Sequence, residues 1–191
     1  MLDLRPGRGR VDRTGAAAAA GRPEVANALM VGYPGMEEFE TAVAVCGINK
    51  EDPDKVYLIE IVTGRWAFPD LIEAVKHLYK FYKARVLCVE KAASGQSLIQ
   101  VLRREAKIPI EEFKPLKSKT TRLQAVSPLF EQDRVQFVDG PWCSPFIKEL
   151  TQFPYVAHDD RTDSVVWSLH YYIEHLDQGN RMLAESIITH R

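Results

Sequence analysis

Two β-rich runs, Thr41 to Ile48 and Val56 to Val62, flank the turn-prone Asn49-Lys50-Glu51-Asp52-Pro53-Asp54, and this pairing constrains the fold more than any other feature. Runs rich in β-branched residues on either side of such a turn predict an antiparallel pair. A short apolar run precedes them, Ala28 to Val31, stopped by Gly32, Pro34 and Gly35, and reads as a buried strand. After the pair the pattern changes. Pro69 and Asp70 open a stretch in which Leu71, Ile72, Val75, Leu78, Tyr79 and Tyr82 recur at helical spacing. Arg85 to Val89 is the next apolar strand, ending at Glu90, and Ser97 to Lys107 suit a second helix. Strand alternating with helix predicts an α/β sheet with helical cover.

Further along, Ile110 to Phe113 read as a short strand and Lys114 to Arg122 as a basic, irregular stretch. Val126 to Phe130 and Arg134 to Val138 flank a polar connection, Trp142 to Phe153 suit a helix, and Asp163 to Leu176 a strongly amphipathic last one. The expected organisation is a leader over residues 1–27, one domain over 28–180 and a tail over 181–191.

With 46% apolar and 27% charged residues the chain can bury a core, which excludes an unfolded polyelectrolyte. Its 25 Lys and Arg against 26 Asp and Glu give no global attraction to a polyanion, so any nucleic-acid surface must be a local patch. Cys46, Cys88 and Cys143 lack the paired short spacings of a zinc or dithiol site, which fits a reducing, cytoplasmic setting. No apolar run reaches the roughly 20 residues needed to cross a bilayer, so no membrane partner is expected. Arg5, Arg8, Arg10, Arg13 and Arg22 around Ala16 to Ala20 imitate a targeting segment, but the short alanine run reads as a flexible leader or a basic arm.

Two groups of acids carry the chemistry. Glu90 ends an apolar strand and is followed by the small Ala92-Ala93-Ser94-Gly95, leaving room for a ligand at the strand's carboxyl edge. A plain solvated acid is the other reading. Asp159, Asp160 and Asp163 precede a long apolar-faced helix, where one Asp suffices as a cap. Three like charges so close together favour a hard divalent cation among them, Mg²⁺ or Mn²⁺. Two such ions, shared between Glu90 and the aspartates, would position water for attack on a phosphodiester. Lys114, Lys117, Lys119 and Arg122, among the hydroxyls of Ser118, Thr120 and Thr121, suit phosphate contacts, with a solvated loop as the alternative. His158 reads as a hydrogen-bonding neighbour of the acids, and Trp142, Trp167, Tyr171 and Tyr172 as packing residues.

The order of these pieces resembles the C-terminal nuclease domain of phage large terminase subunits, from about Ala28 to Tyr172. The likeness rests on Val86-Leu87-Cys88-Val89-Glu90 with Ala92 to Gly95, on Lys117 to Arg122, and on Ser127 to Glu131 with Arg134-Val135. It continues through Glu149-Leu150 with Phe153-Pro154 and closes on His158-Asp159-Asp160 with Asp163. It implies an RNase H-like mixed sheet, antiparallel in its first strands and then parallel, flanked by helices. It also implies a two-metal endonuclease that cuts concatemeric double-stranded DNA in a bacterial cytoplasm, with an ATPase motor domain, a small terminase subunit and a portal as partners. Glu90 matches the family's second acid and Asp159 to Asp163 its last acidic motif, with Asp160 and Asp163 favoured and Asp159 close behind. Lys117 to Arg122 would face DNA.

The first strand departs from the family pattern. Tyr33, in Val31-Gly32-Tyr33-Pro34-Gly35, takes the place of the family's first Asp, and a neutral phenol is a poor ligand for Mg²⁺. Glu37, Glu38 or Glu40 are the acids that can reach inward instead. Without one, the resemblance leaves open a DNA-binding or assembly module that cuts weakly or not at all, and another RNase H-like nuclease such as a junction resolvase. The chain has no Gly-x-x-x-x-Gly-Lys-[Ser/Thr] loop, so no ATPase is expected in it.

Overall fold

A computed structural model describes residues 10–11, 25–32, 40–49, 52–91 and 93–188. Its strands are β1 (Arg10–Val11), β2 (Val25–Gly32), β3 (Thr41–Asn49), β4 (Asp52–Gly64), β5 (Val86–Glu90), β6 (Ile110–Phe113) and β7 (Val135–Val138). The helices are α1 (Phe68–Phe81), α2 (Ala93–Ala106), α3 (Lys119–Glu131), α4 (Cys143–Gln152) and α5 (Asp160–Ile188). The strands form one mixed sheet in the order β1-β7-β4-β3-β2-β5-β6. The expected antiparallel pair is β3 and β4, with β2 antiparallel on the other side of β3. The remaining neighbours run parallel, β2 with β5, β5 with β6, β4 with β7 and β1 with β7.

Side chains alternate across the sheet, as the two-residue period of a strand requires. Leu29 and Val31 of β2 and Val43 and Val45 of β3 pack with Leu71, Val75, Leu98 and Leu102 of α1 and α2. The interleaved Met30, Ala42, Ala44 and Cys88 pack with Val126, Phe146, Val165 and Leu169 of α3, α4 and α5. Small residues on both sides let α5 lie close to the sheet: Ala42 and Ala44 below, and buried Ser164 and Ser168 above. Each serine hydroxyl is satisfied within the helix, Ser164 Oγ donating to the Arg161 carbonyl at 2.8 Å and Ser168 Oγ to the Ser164 carbonyl at 3.0 Å.

Pairing of Val31 with Val89 and of Glu90 with Phe113 brings the carboxyl ends of β2, β5 and β6 to one rim. The start of β3 joins them there, because Gly32 pairs with Ala42. Two residues beyond Cys88, Glu90 takes the face that α5 covers.

Several boundaries differ from the sequence reading. β2 begins at Val25, three residues early, because the ladder with β3 carries the less apolar Ala26 and Asn27. Arg10 and Val11, inside the expected leader, pair with β7; the rest of residues 1–24 lie outside the described residues. Lys119 to Arg122 are not irregular but form the first turn of α3, whose start is fixed by Ser118 Oγ accepting from the Thr121 backbone N–H at 3.2 Å. α5 starts at Asp160, a polar turn ahead of the apolar stripe, and runs to Ile188, so residues 181–188 of the expected tail are helical. Cys46, Cys88 and Cys143 are buried, and Cys143 Sγ donates to the Val138 carbonyl at 3.4 Å. Burial pushes the Cys46 thiol up to about 12 and raises Cys88 as well, so neither is a thiolate near neutrality.

Candidate functional site

Glu90 stands at the rim as the last residue of β5, and Gly95, in the first turns of α2, packs against its backbone: a Cβ at Gly95 would collide with the Glu90 carbonyl oxygen. The Glu90 carboxylate is half-buried, and its Oε2 accepts from Trp167 Nε1 of α5 at 3.2 Å. Burial, and then the charge of Asp163, raise the Glu90 pKa, against the Trp167 hydrogen bond and the charges of Arg122 and Lys119. The strand-end acid and the helix-start acid thus share one electrostatic neighbourhood.

Asp163 lies one turn into α5. Its Oδ1 accepts from Arg122 Nη2 at 2.6 Å, and Lys119 Nζ stands 3.6 Å from Oδ2. Lys119 also binds Asp159 at 2.8 Å. Asp159 precedes the helix, and its carbonyl accepts the first helical hydrogen bond, from Asp163 N at 2.9 Å, so it occupies the cap position that the sequence pattern indicates. Asp160 is half-buried, and its pKa rises to about 6 through burial and then through Asp159, with Glu149 and Glu40 adding and Lys119 opposing. His158 is exposed beside them.

Of the residues expected to meet phosphate, Lys114 and Lys117 are exposed. Lys119 is exposed but committed to two aspartates. Arg122 departs from the expectation: only 4% exposed, it points inward to Asp163 and cannot lie along a DNA backbone. The alternation of charge and hydroxyl that marks this segment does not separate the outer face of the α3 turn from its inner one.

Tyr33, Glu37 and Glu38 lie outside the described residues. Glu40 is described, and it pairs with Arg161 Nη1 at 2.8 Å. In the sequence Glu149 stands out only as part of a motif, and Trp167 reads as packing. In the structure Glu149, 6% exposed, accepts from the Thr162 backbone N–H at 2.6 Å and from Arg161 Nη1 at 3.3 Å, which ties α4 to the first turn of α5. No local pattern marks either role, because both partners are distant in the chain.

In kind, the donors suit a hard divalent ion, since all are carboxylates. Among the described residues no three His, Cys, Asp or Glu side chains are grouped to hold one. Glu90 and Asp163, the second of which acts electrostatically on the first, are two carboxylates of the kind that Mg²⁺ takes together with water and substrate oxygens.

A mixed sheet with antiparallel central strands and parallel outer ones, helices on both faces and acids at one rim defines an RNase H-like nuclease domain. The family model of the terminase RNaseH-like domain matches residues 40–172, and the chain belongs to that family. The large terminase nuclease from thermophilic phage G20c with bound magnesium is similar in structure, at a TM-score of 0.61 and 14% identity over 78% of this chain and 82% of that one. So is the human cytomegalovirus terminase nuclease domain, at 0.59 and 10% over 88% and 90%. The nuclease domain of the large terminase subunit gp2 of bacterial virus Sf6 gives 0.55 and 12% over 78% and 89%. No curated protein sequence matches the chain. No helix among the described residues is long and apolar enough to cross a membrane.

Proposed function

We propose that this domain is the endonuclease of a viral DNA-packaging terminase and hydrolyses double-stranded, concatemeric DNA with Mg²⁺ or Mn²⁺. The observation that carries the reading is the chain of contacts linking Glu90, at the end of β5, to Asp163, in the first turn of α5: Arg122 donates to Asp163 at 2.6 Å and lies over the Trp167 ring, whose indole N–H donates to Glu90 at 3.2 Å. Family membership supports it, as do the metals named with the relatives: magnesium, zinc and cobalt for the G20c nuclease and manganese for those of cytomegalovirus and Sf6.

In this reading Glu90 and Asp163 hold one ion, and Asp159 and Asp160 are the carboxylates left for a second. When bound, the ions supply Lewis acidity for attack of water on the phosphodiester and neutralise charge on the leaving oxygen. The chain's own groups do the rest. Trp167 orients Glu90 through its indole N–H, while exposed Lys114 and Lys117 draw in the phosphate backbone without reading base sequence. The domain works beside an ATPase motor, a small terminase subunit and a portal, in the cytoplasm of a bacterial host. Incubation with supercoiled plasmid and Mn²⁺ tests the reading. Nicking and linearisation by the parent, abolished in Glu90→Ala, are expected; no cleavage by the parent, or undiminished cleavage by the variant, refutes it.

A second reading, a DNA-binding module impaired in cutting, is favoured by one observation: the described residues group no third acid with Glu90 and Asp163. Tyr33 stands where the family resemblance expects that acid. Under this reading Tyr33→Asp gains nuclease activity over a nearly inert parent, and robust cleavage by the parent rejects it.

A further inference from the structure

Behind the acid pair a buried charged side chain, Arg122, packs on Trp167 at the edge of the hydrophobic core. The guanidinium carbon of Arg122 sits 4.6 Å from the centroid of the Trp167 ring, a cation–π stack between residues only 4% and 5% exposed. One edge of the guanidinium donates to Asp163 Oδ1 at 2.6 Å and another to the Lys117 carbonyl at 2.8 Å. The indole N–H of Trp167 donates to Glu90 Oε2 at 3.2 Å. The Arg122 carbonyl is itself hydrogen-bonded to His170 Nε2 at 3.1 Å, which anchors α3 to α5 at this point. Arg122 Nε is buried without a hydrogen-bond partner, so burying this side chain carries a desolvation cost.

We infer that Arg122 and Trp167 are positioning residues: a stacked pair that sets the carboxylates of Asp163 and Glu90 at a fixed separation and orientation, one acid per partner. The inference rests on the nuclease reading for its purpose, but not for its geometry. A planar guanidinium is required, because a lysine ammonium neither stacks flat on indole nor spans Asp163 and the Lys117 carbonyl together. Groups that orient metal-holding side chains from behind typically change metal affinity or activity about 10- to 100-fold when removed.

The test uses the whole chain in three forms, the parent, Trp167→Phe and Arg122→Lys. Trp167→Phe keeps a ring for the stack and removes only the donor to Glu90. Mn²⁺ affinity is read by the electron paramagnetic resonance of free Mn²⁺, duplex DNA affinity by anisotropy in EDTA, and folding by thermal melting. The expected result is Mn²⁺ binding weakened about tenfold or more in both variants, with DNA affinity in EDTA unchanged and a cooperative melt retained. Mn²⁺ affinity within about twofold of the parent in either variant overturns the inference. A metal-free measurement separates this from the nuclease reading: solvent exchange of the Trp167 indole N–H, followed by NMR in EDTA, in the parent, Glu90→Ala and Arg122→Lys. Faster exchange in both variants upholds the stacked layer even in a parent that binds no Mn²⁺, where the failure falls on the nuclease reading alone. Unchanged exchange in either variant overturns the layer.

Discussion

Replacing Asp160 by Asn removes a charge that the fold holds at a cost, so the variant is expected to be more stable than the parent while losing activity. The carboxyl is raised from an ordinary 3.8 to about 6, by burial first and by Asp159 next. At about 1.4 kcal/mol per unit, the gap corresponds to about 3 kcal/mol before solvent is considered. Asp160 is only half-buried, and screening reduces this to about 1–2 kcal/mol. Against that, its charge in the first turn of α5 favours the helix dipole by about 0.3–1 kcal/mol, which Asn forfeits. The net expectation is a gain of about 1 kcal/mol where Asp160 is ionised. The native chain holds this proton more tightly than the unfolded chain does, so the parent loses stability as pH rises from about 4 to about 6, and the full penalty persists above that. Urea unfolding in EDTA at about pH 8 and about pH 4.5 reads both effects. Asp160→Asn is expected to exceed the parent clearly at the higher pH, with the advantage shrinking on acidification. A variant that is less stable at the higher pH, or whose advantage is the same at both, refutes the argument from buried charge.

Three further outcomes follow from the same geometry. Glu149→Ala strands the buried Thr162 N–H and is expected to cost about 1–3 kcal/mol, whereas Glu149→Gln, which keeps an acceptor, retains most of the stability by urea unfolding. Gly95→Ala drives a Cβ into the Glu90 backbone, so a destabilisation of about 1–3 kcal/mol is expected, with cleavage falling further than the melt accounts for because Glu90 moves. Lys114→Ala with Lys117→Ala is expected to weaken duplex binding on every sequence alike and to flatten the dependence of log affinity on log salt by about 0.9 for each phosphate no longer neutralised; an unchanged slope removes that segment from the interface.

The elements legible in the sequence are those whose periodicity is local. The β3 and β4 runs, the apolar stripe of α1 and the strand ending at Glu90 each declare themselves through neighbours a few residues away. Ser118 with Thr121 three residues on signals the start of α3, yet basic charge masks it, because Lys119 to Arg122 read equally well as a solvated loop. Glu90 and the aspartates are legible as separate clusters, since local pattern shows charge density but not convergence. The parts hidden from the sequence are the pairings across α3, α4 and α5. Arg122 looks like a phosphate contact until its burial against Trp167 is seen, and Glu149 looks like an ordinary helix acid until Thr162 N–H is found on it.

The balance of charge at the rim connects these pairings to the proposed chemistry. Among the described residues six carboxylates gather there, Glu40, Glu90, Glu149, Asp159, Asp160 and Asp163, with Lys119, Arg122 and Arg161 as the cations they interact with. The cations are distributed unevenly. Arg161 serves Glu40 and Glu149, Lys119 serves Asp159 and Asp163, and Arg122 serves Asp163. Among the described residues, Glu90 and Asp160 are the two of the six with no directly paired cation, and burial raises the pKa of each. In the proposed function, their charge, which Lys119 relieves only from a distance, is what a divalent ion would neutralise and what a DNA phosphate would meet as repulsion. Under that proposal a polyanion approaches this rim more readily when cations are added to it, which makes metal occupancy of the acids and the reach of Lys114 and Lys117 parts of one electrostatic problem.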